Sequence, residues 1–309
     1  MHQYWTRRGV LLAGLAGLAG CTVMAPAPTP PSEPPAVTPP TPPALRPPRL
    51  GLALGGGAAR GFAHVGVIQV LEREGFRPDM VAGTSAGSLV AALYASGMDG
   101  AQLERAALEM EEAAIADWTL PLFNRGLLRG EALARYVNRQ VQGKLLQDMA
   151  MPLGILATDL SSGQGVLFRR GDTGTAVRAS SAVPGVFTPV DISGRLYVDG
   201  GLVAPVPVDQ VRQMGAELVI AVDISSPPNP SPGQDALRVL LQTFAIMGQS
   251  INRHVVAQAE VPIQPDLSGV GSADFTARQR AIVAGRQAMQ AALPRLRELW
   301  SQKRQPVAR

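Results

Sequence analysis

Cysteine is almost absent from this chain of 309 residues, since Cys21 is the only one. A single cysteine forms no disulfide within the chain, and it excludes a zinc site built from several cysteines. Histidine is nearly as scarce, with three residues, so a catalytic site that depends on a histidine base has few candidates. We predict no metal site and no cofactor.

Charge is also sparse, because Lys, Arg, Asp and Glu make up 17% of the residues and the net charge is +4. Loss of the first 21 residues would remove Arg7 and Arg8 but no acid, and would leave a net charge of +2 (4 − 2). No basic patch alternates with aromatic residues, so we predict no nucleic-acid partner.

The amino terminus has the pattern of an export signal. Arg7 and Arg8 precede an apolar run, Val10–Ala19, which is too short to span a membrane and is typical of a signal peptide over residues 1–20. Leu18-Ala-Gly-Cys21 resembles a bacterial lipobox, which implies a lipid on Cys21; a plain signal peptide with a free thiol is the alternative. We therefore expect membrane attachment through Cys21. In the lipoprotein sorting pattern that this sequence resembles, Thr22 at the next position favours release to the outer membrane. We expect a protein of the bacterial cell envelope, lipid-anchored at the outer membrane and facing the periplasm.

Proline dominates the segment that follows, with twelve of the 24 residues from 25 to 48. Such a composition favours polyproline II over helix or sheet. We predict a tether over residues 21–48 and one folded domain over residues 49–309. The chemistry-bearing motifs of that domain lie within about 50–225, and residues 226–309 are mainly helical.

The first of these motifs is Gly83-Thr-Ser85-Ala-Gly87, between an apolar strand at Met80–Ala82 and a small-residue helix at Ser88–Ser96. Strand, tight turn and helix in this order form a nucleophile elbow, which exposes the serine hydroxyl. The glycines two positions away on either side leave room for the turn. A chance Gly-x-Ser-x-Gly loop in a glycine-rich chain is the alternative interpretation.

A glycine run forms the second motif. A buried strand at Leu50–Leu54 leads into Gly55-Gly-Gly57-Ala-Ala-Arg60-Gly61, and an apolar helix begins near Phe62. Backbone N–H groups at such a helix start can bind a phosphate or the oxyanion of an acyl intermediate. Dinucleotide binding competes with this interpretation, but Arg60 occupies a position where the Rossmann fingerprint has Gly or Ala.

The third motif is Leu196-Tyr-Val-Asp199-Gly-Gly201, in which a short strand leads a carboxylate into a glycine turn. Asp before Gly is commonly only a turn former. A serine nucleophile requires a base, however, and this requirement favours a catalytic role for Asp199.

In this order, the three motifs resemble those of the patatin-like phospholipases, and most closely those of the bacterial branch. Three further stretches fit that branch: Leu156–Leu160, Arg178–Val190 and Gly201–Val208. The resemblance implies a lipid acyl hydrolase with a Ser–Asp dyad, in which Ser85 is the nucleophile and Asp199 the general base. It also implies an oxyanion hole made by the backbone of Gly55, Gly56 and Gly57, and a lipid ester as substrate.

Two details of this resemblance lead to separate expectations. Asp199 at its ordinary pKa would be a weak base, so we predict that partial burial raises its pKa. Two alanines precede Arg60, whereas plant members have one residue before their basic residue, so contact between Arg60 and a substrate phosphate stays open.

Other mechanisms and functions remain to be distinguished. His254 follows both Ser85 and Asp199, which is the chain order of an α/β-hydrolase triad. For His64 we predict packing or a hydrogen bond within its helix. Two alternative functions are an envelope lipoprotein that binds lipid with little turnover and a nucleotide-dependent oxidoreductase.

Strands alternate with helices through the rest of the domain, which predicts a three-layer α/β/α fold with a mostly parallel central sheet. Residues Trp118–Leu128 form an apolar cluster that is either a lid or acyl-chain wall, or ordinary core. Helices at about Asp235–Ala259 and Ala277–Trp300 are predicted to cover an edge or face of the sheet rather than to approach a bilayer. Further strands are predicted at Leu153–Thr158, Val166–Phe168, Leu196–Val198 and Leu218–Val222, and further helices at about Gly100–Ala116 and Gly130–Val141.

Overall fold

The computed structural model describes residues 45–110, 128–231, 233 and 235–306. All of them belong to one compact unit, Pro43–Arg309. The predicted signal peptide, Cys21 and residues 118–127 of the predicted lid lie outside the described residues.

Ten strands and eight α-helices are found in the described residues. The strands are β1 (Leu45–Arg46), β2 (Leu50–Leu54), β3 (Met80–Thr84), β4 (Leu153–Asp159), β5 (Gly165–Phe168), β6 (Val190–Ile192), β7 (Arg195–Asp199), β8 (Leu218–Val222), β9 (Val261–Ile263) and β10 (Gln305–Pro306). The helices are α1 (Ala63–Arg73), α2 (Ala86–Ala95), α3 (Gly100–Glu109), α4 (Glu131–Gln140), α5 (Thr173–Ser180), α6 (Val208–Gln213), α7 (Ala236–Val255) and α8 (Arg278–Gln302).

The central sheet has eight strands, in the order β6-β7-β4-β3-β2-β8-β9, with β5 also paired to β4. Strands β4, β3, β2, β8 and β9 are parallel, whereas β5, β6 and β7 join antiparallel. Every residue of β2, β3, β4 and β8 is buried, as expected for parallel strands that are covered on both faces.

Successive residues of β2 point to opposite layers. Leu52 and Leu54 belong to the large apolar core that includes α1 and α8, whereas Ala53 packs in a second core with Val208 and Val211 of α6. The three-layer α/β/α fold predicted from the sequence is therefore confirmed.

Close backbone contact between α1 and α8 holds the first layer together. A Cβ atom at Gly66 would lie 2.0 Å from the carbonyl oxygen of Ile282, and one at Gly285 would lie 1.9 Å from that of Ala63. Only glycine permits these approaches. α8 also packs against β9 and shares the large apolar core with β2, so it covers the sheet as predicted.

The folded unit begins earlier than the sequence predicted. Leu45–Arg46 forms β1 and pairs antiparallel with β10, and Arg46 makes a 2.7 Å ion pair with Glu217. Hydrogen bonding to Arg46 is the main cause that lowers the pKa of Glu217 to about 2. The predicted boundary after Pro48 was wrong, because the last residues of the proline-rich segment are fixed by pairing with the distant carboxy-terminal strand.

Helix α7 also differs from expectation. Among its residues only Gly248 and Asn252 are buried, so the prediction that this helix covers the sheet was wrong. No helix in the described parts of the chain is both long and apolar enough to cross a membrane.

Candidate active site

Ser85 lies in the turn between β3 and α2, at the carboxyl edge of the parallel sheet. Its φ of +52° is left-handed, a conformation that a non-glycine residue keeps only when its surroundings enforce it. The flanking glycines are needed for space: a Cβ atom at Gly83 would lie 2.4 Å from the carbonyl oxygen of Gly87, and one at Gly87 would lie 2.1 Å from that of Leu54. The local structure is the predicted strand–turn–helix.

Hydrogen bonds from α5 and α2 fix the strained turn. The N–H of Ser85 donates to the hydroxyl of Ser180 at 2.9 Å, and that hydroxyl donates to the carbonyl oxygen of Leu156 at 2.6 Å. The hydroxyl of Ser88 donates to the carbonyl oxygen of Ser85 at 2.6 Å. Sequence reasoning missed Ser180, although it lies within the Arg178–Val190 stretch.

The register of β4 explains why Ser85 and Asp199 meet although they are far apart in sequence. Leu156 of β4 pairs with Thr84 at the end of β3, and the next residue, Ala157, pairs with Asp199 at the end of β7. Because β5 occupies the opposite edge of β4 at these residues, β3 and β7 follow one another along the same edge. The two strands run towards each other and end at neighbouring positions.

The Asp199 carboxylate lies in this gap with 6% of the residue exposed. It accepts a 2.7 Å hydrogen bond from the N–H of Gly201 and interacts with the side chain of Ser85. Burial raises the pKa of Asp199 to about 6, although hydrogen bonds from Ser85 and Gly201 act in the opposite direction. The direction agrees with the sequence-based prediction. Asp199 therefore keeps the charge of a carboxylate at neutral pH and is a stronger base than an exposed aspartate.

Backbone hydrogen bonds to distant residues hold most of the glycine run in place. The N–H of Gly55 donates to the carbonyl oxygen of Val222, and that of Gly56 donates to the carbonyl oxygen of Pro205, both at 3.0 Å. The prediction that these two N–H groups face the oxyanion was therefore wrong. The N–H groups of Gly57 and Ala58 have no acceptor among the residues that the structure describes.

Gly56 instead provides space beside the serine. A Cβ atom at Gly56 would lie 3.1 Å from the Cβ and 3.9 Å from the Oγ of Ser85. Any side chain there would crowd the space next to the hydroxyl.

His64 supports the glycine run from α1. Its ring is fully buried, and Nε2 lies 2.8 Å from the carbonyl oxygen of Gly55. Since a carbonyl only accepts, Nε2 carries the proton in this contact. Burial lowers the pKa of His64 to about 4, so the ring is neutral at pH 7. The predicted packing is confirmed, but the hydrogen bond leaves the helix instead of staying within it.

His254 lies in the last turn of α7 and is exposed. Within the described residues it makes no hydrogen bond to Ser85 or Asp199. The described geometry thus gives no support to a triad through His254.

Arg60 and Ser85 line different cavities. Arg60 is 7% exposed and lines a cavity of about 1080 Å³ that also contains Asp223 and Asn252. Burial lowers the pKa of Arg60, while the charge of Asp223 acts in the opposite direction. This cavity does not include Ser85, so the structure does not bring Arg60 to the predicted reaction centre.

Two other cavities do include Ser85. One, of about 210 Å³, also contains Asp199 and is bordered by Gly57, Pro205, Phe244 and Met247 among others. The second, of about 350 Å³, has a lining of almost entirely apolar residues, including Phe62, Leu89, Met110, Leu133, Phe187 and Phe275. Leu128, the last residue of the predicted lid or wall, contributes to this apolar lining.

The described residues contain no group of three or more His, Cys, Asp or Glu side chains placed to hold a metal ion. Around Ser85 the structure brings together its hydroxyl, a buried carboxylate, two backbone N–H groups without an acceptor in the described residues, and an apolar cavity, a set of groups that is suited to acyl transfer.

Comparison with known proteins agrees with this class of site. The profile of the family "Patatin-like phospholipase" matches residues 52–212, a range that includes both Ser85 and Asp199. The chain belongs to the patatin-like phospholipase family.

Several relatives carry the same domain in longer chains. An uncharacterised NTE family protein of Mycobacterium tuberculosis is 37% identical over 191 residues, which cover 61% of this chain and 52% of that protein. Another from the same organism is 31% identical over 271 residues, covering 79% of this chain and 46% of the relative. The chain spans about half the length of these two relatives. Patatin-like phospholipase domain-containing protein 6 of Mus musculus is 34% identical over 57% of this chain and 14% of its own length.

Among solved structures, VipD from Legionella pneumophila has a similar fold. The TM-score is 0.53 at 15% sequence identity, and the match covers 81% of this chain and 67% of that chain. At this identity the similarity supports the fold alone.

Proposed function

We propose that this protein hydrolyses acyl esters of lipids, with Ser85 as nucleophile and Asp199 as its general base. One observation carries the proposal: a serine on a strained elbow faces a buried carboxylate whose pKa is raised to about 6. Membership of the patatin-like phospholipase family supports the same reaction.

In the first half of the reaction, the Oγ of Ser85 attacks the ester carbonyl while Asp199 accepts the hydroxyl proton. The tetrahedral intermediate collapses by breaking the ester C–O bond, and Asp199 returns the proton to the leaving alkoxide. In the second half, Asp199 accepts a proton from water as the water attacks the acyl-enzyme, and then returns that proton to the Oγ of Ser85. The products are an alcohol and a fatty acid.

The N–H groups of Gly57 and Ala58 are the proposed oxyanion donors. Both lie at the start of a short 3₁₀ helix, Ala58–Phe62, whose first N–H groups have no acceptor within the helix. Donors that are already fixed by the fold stabilise the developing negative charge without reorganisation. Gly55 and Gly56 serve by holding this loop in place.

The apolar cavity of about 350 Å³ is the proposed site of the acyl chain, because its lining offers few polar groups. The cavity that contains Asp199 would then hold the alcohol portion of the ester, next to the group that protonates it. This assignment places the scissile carbonyl at Ser85, which both cavities share.

Turnover of lipid esters by purified protein tests the proposal. Phospholipid, lysophospholipid and water-soluble short-chain esters are offered to the chain, with Ser85→Ala as the blank. Release of fatty acid that the blank does not show is the expected result. Lipid binding without release would instead support the alternative of a lipid-binding lipoprotein with little turnover.

We also propose that Cys21 carries a lipid that anchors the enzyme in the bacterial cell envelope, at the outer membrane and facing the periplasm. The lipobox-like sequence before Cys21 and the proline-rich residues after it support this. Labelling with a palmitate analogue should be lost in Cys21→Ser, and label retained in that variant would exclude attachment there.

A further inference from the structure

Helix α7 exposes an unusual amount of apolar surface for a helix of a folded domain. Val239, Ile246 and Met247 are 50%, 52% and 47% exposed, and Leu237, Leu240 and Leu241 are 36–43% exposed. Exposed apolar patches of this kind commonly mark interaction sites.

The same helix forms a wall of the cavity that contains Ser85 and Asp199. Phe244, Ala245 and Met247 line that cavity. Met247 is therefore both part of the cavity wall and nearly half exposed, so the apolar surface of α7 is continuous with the cavity that contains Ser85 and Asp199.

The amino-terminal half of α7 is seated on a loop of the same cavity. A Cβ atom at Gly185 would lie 2.8 Å from Cδ2 of Leu240 and 3.1 Å from Cδ1 of Leu237. The neighbouring residues Val183 and Pro184 line the cavity. These contacts fix one side of the helix, while Val239 and Ile246 take no part in the cavity lining.

Charge on α7 is of one sign. The helix contains Arg238, Arg253 and His254 and no Asp or Glu from residue 236 to residue 255. Arg238 is paired at 3.2 Å with Asp235, the residue that caps the amino terminus of α7, so the exposed Arg253 at the other end of the helix carries the argument. An exposed apolar surface next to such a basic residue suits an anionic lipid surface, on which the helix lies parallel to the interface.

We propose that α7 docks the protein on an anionic lipid surface and thereby presents the catalytic cavity to its substrate. The proposal deepens the proposed function, on which it rests. Val239, Ile246 and Met247 enter the interfacial layer, and Arg253 meets anionic head groups. The contact is separate from the proposed lipid on Cys21, because it orients the domain instead of tethering it.

Vesicle binding by the compact unit Pro43–Arg309 tests this surface without the amino-terminal segment. The unit carries Ser85→Ala, so that no lipid is consumed, and sedimentation is measured with vesicles of phosphatidylcholine alone or of equal parts phosphatidylcholine and phosphatidylglycerol. We expect tighter binding to the anionic vesicles. Val239→Ser with Ile246→Ser should weaken that binding by about tenfold or more, because two apolar side chains no longer leave water.

The matched control is Leu160→Ser with Leu196→Ser, two residues outside α7 that are 49% and 43% exposed. It should bind vesicles as the parent does. Equal binding to both kinds of vesicle, or an equal loss in the control, would overturn the proposal. The proposal would also be overturned if the parent bound no vesicles and instead formed a dimer that the α7 double variant dissociates.

Activity separates this proposal from the proposed function. With Ser85 intact, the α7 double variant should hydrolyse a water-soluble ester at the parental rate and vesicle lipid more slowly. If the parent hydrolyses neither substrate, the proposed function fails, whereas vesicle binding by the Ser85→Ala unit is still measured independently.

Discussion

The cavity that contains Ser85 and Asp199 has two walls that are built differently. One wall comes from the sheet: Ser85 directly follows β3 and Asp199 ends β7, both strands pair with β4, and backbone hydrogen bonds hold both residues. The other wall comes from α7, in which only Gly248 and Asn252 are buried. We infer from this comparison that the residues of the sheet wall carry out the chemistry and that α7 provides access to the lipid substrate. Changes to the sheet wall should therefore reduce turnover of every ester, whereas changes to α7 should matter only at a lipid surface.

The largest effect is expected from Asp199→Asn, which keeps the shape of the side chain but removes the base. We expect kcat on a water-soluble ester to fall by about a thousandfold or more. Asp191→Asn, at an exposed position of β6, is the matched control and should stay near the parental rate. Activity retained in Asp199→Asn would show that Asp199 is not the base and that the sheet wall does not carry out the chemistry in the proposed way.

Gly56→Ala should have the next largest effect. Its Cβ would lie 3.1 Å from the Cβ of Ser85, closer than an ordinary contact, and would displace the residue that carries the attacking hydroxyl. We expect kcat to fall roughly 10- to 100-fold, because small displacements at a reacting centre are costly. Gly271→Ala, whose Cβ would lie at an ordinary 3.6 Å from Asp274, provides the comparison in steady-state assays. A Gly56→Ala protein as active as this control would show that the space is not needed.

The raised pKa of Asp199 predicts how activity and stability change with pH. Activity requires the carboxylate, so kcat/KM should rise with a midpoint near pH 6 and fall about tenfold for each unit below it. Stability should change in the opposite direction. The folded state binds more protons than the unfolded chain between pH 3.8 and about 6, so the free energy of unfolding decreases as pH rises through that window.

Asp199→Asn lacks this titration. Relative to the parent, its free energy of unfolding should increase by up to about 3 kcal/mol between pH 4 and pH 7, as the parent loses the proton that it binds more tightly when folded. Parallel denaturant titrations of the two proteins measure the difference. An unchanged difference across this range would mean that Asp199 is not a buried acid.

The smallest effects are expected from the histidines. His254→Ala should hydrolyse soluble ester within about twofold of the parent, because the side chain is exposed. His64→Ala should lower the free energy of unfolding by about 1–3 kcal/mol, since the carbonyl of Gly55 loses its partner in a buried place. A large loss of activity in His254→Ala alone would favour the triad over the dyad.

Much of the sheet wall was predictable from local sequence. Strands, glycine turns and the positions of Ser85 and Asp199 follow from short patterns whose physical requirements are local. The use of Gly55 and Gly56 was not predictable, because the acceptors of their N–H groups, Val222 and Pro205, come from distant parts of the chain. Ser180 was missed for the same reason, since its role depends on the place where α5 meets the elbow.

Helix α7 shows a different limit of prediction from sequence. Apolar residues predicted both α7 and α8 as helices, but helical periodicity does not indicate what an apolar face will contact. α8 packs against α1, where Gly66 and Gly285 permit backbone contact. α7 contacts the loop at Gly185, lines the rim of the cavity and donates a hydrogen bond from Asn252 to Asp223, and much of its apolar surface is exposed.

The most direct test of the Ser85–Asp199 pair is the rate at which a water-soluble fluorophosphonate modifies Ser85, measured by mass spectrometry of the intact protein and its peptides from pH 4.5 to pH 8. We predict a single adduct on Ser85, a rate that rises with a midpoint near pH 6, and at least about a thousandfold slower modification in Asp199→Asn but not in His254→Ala. Modification of Ser85 at equal rates in the parent and Asp199→Asn, or none at Ser85 in the folded parent, would contradict the account.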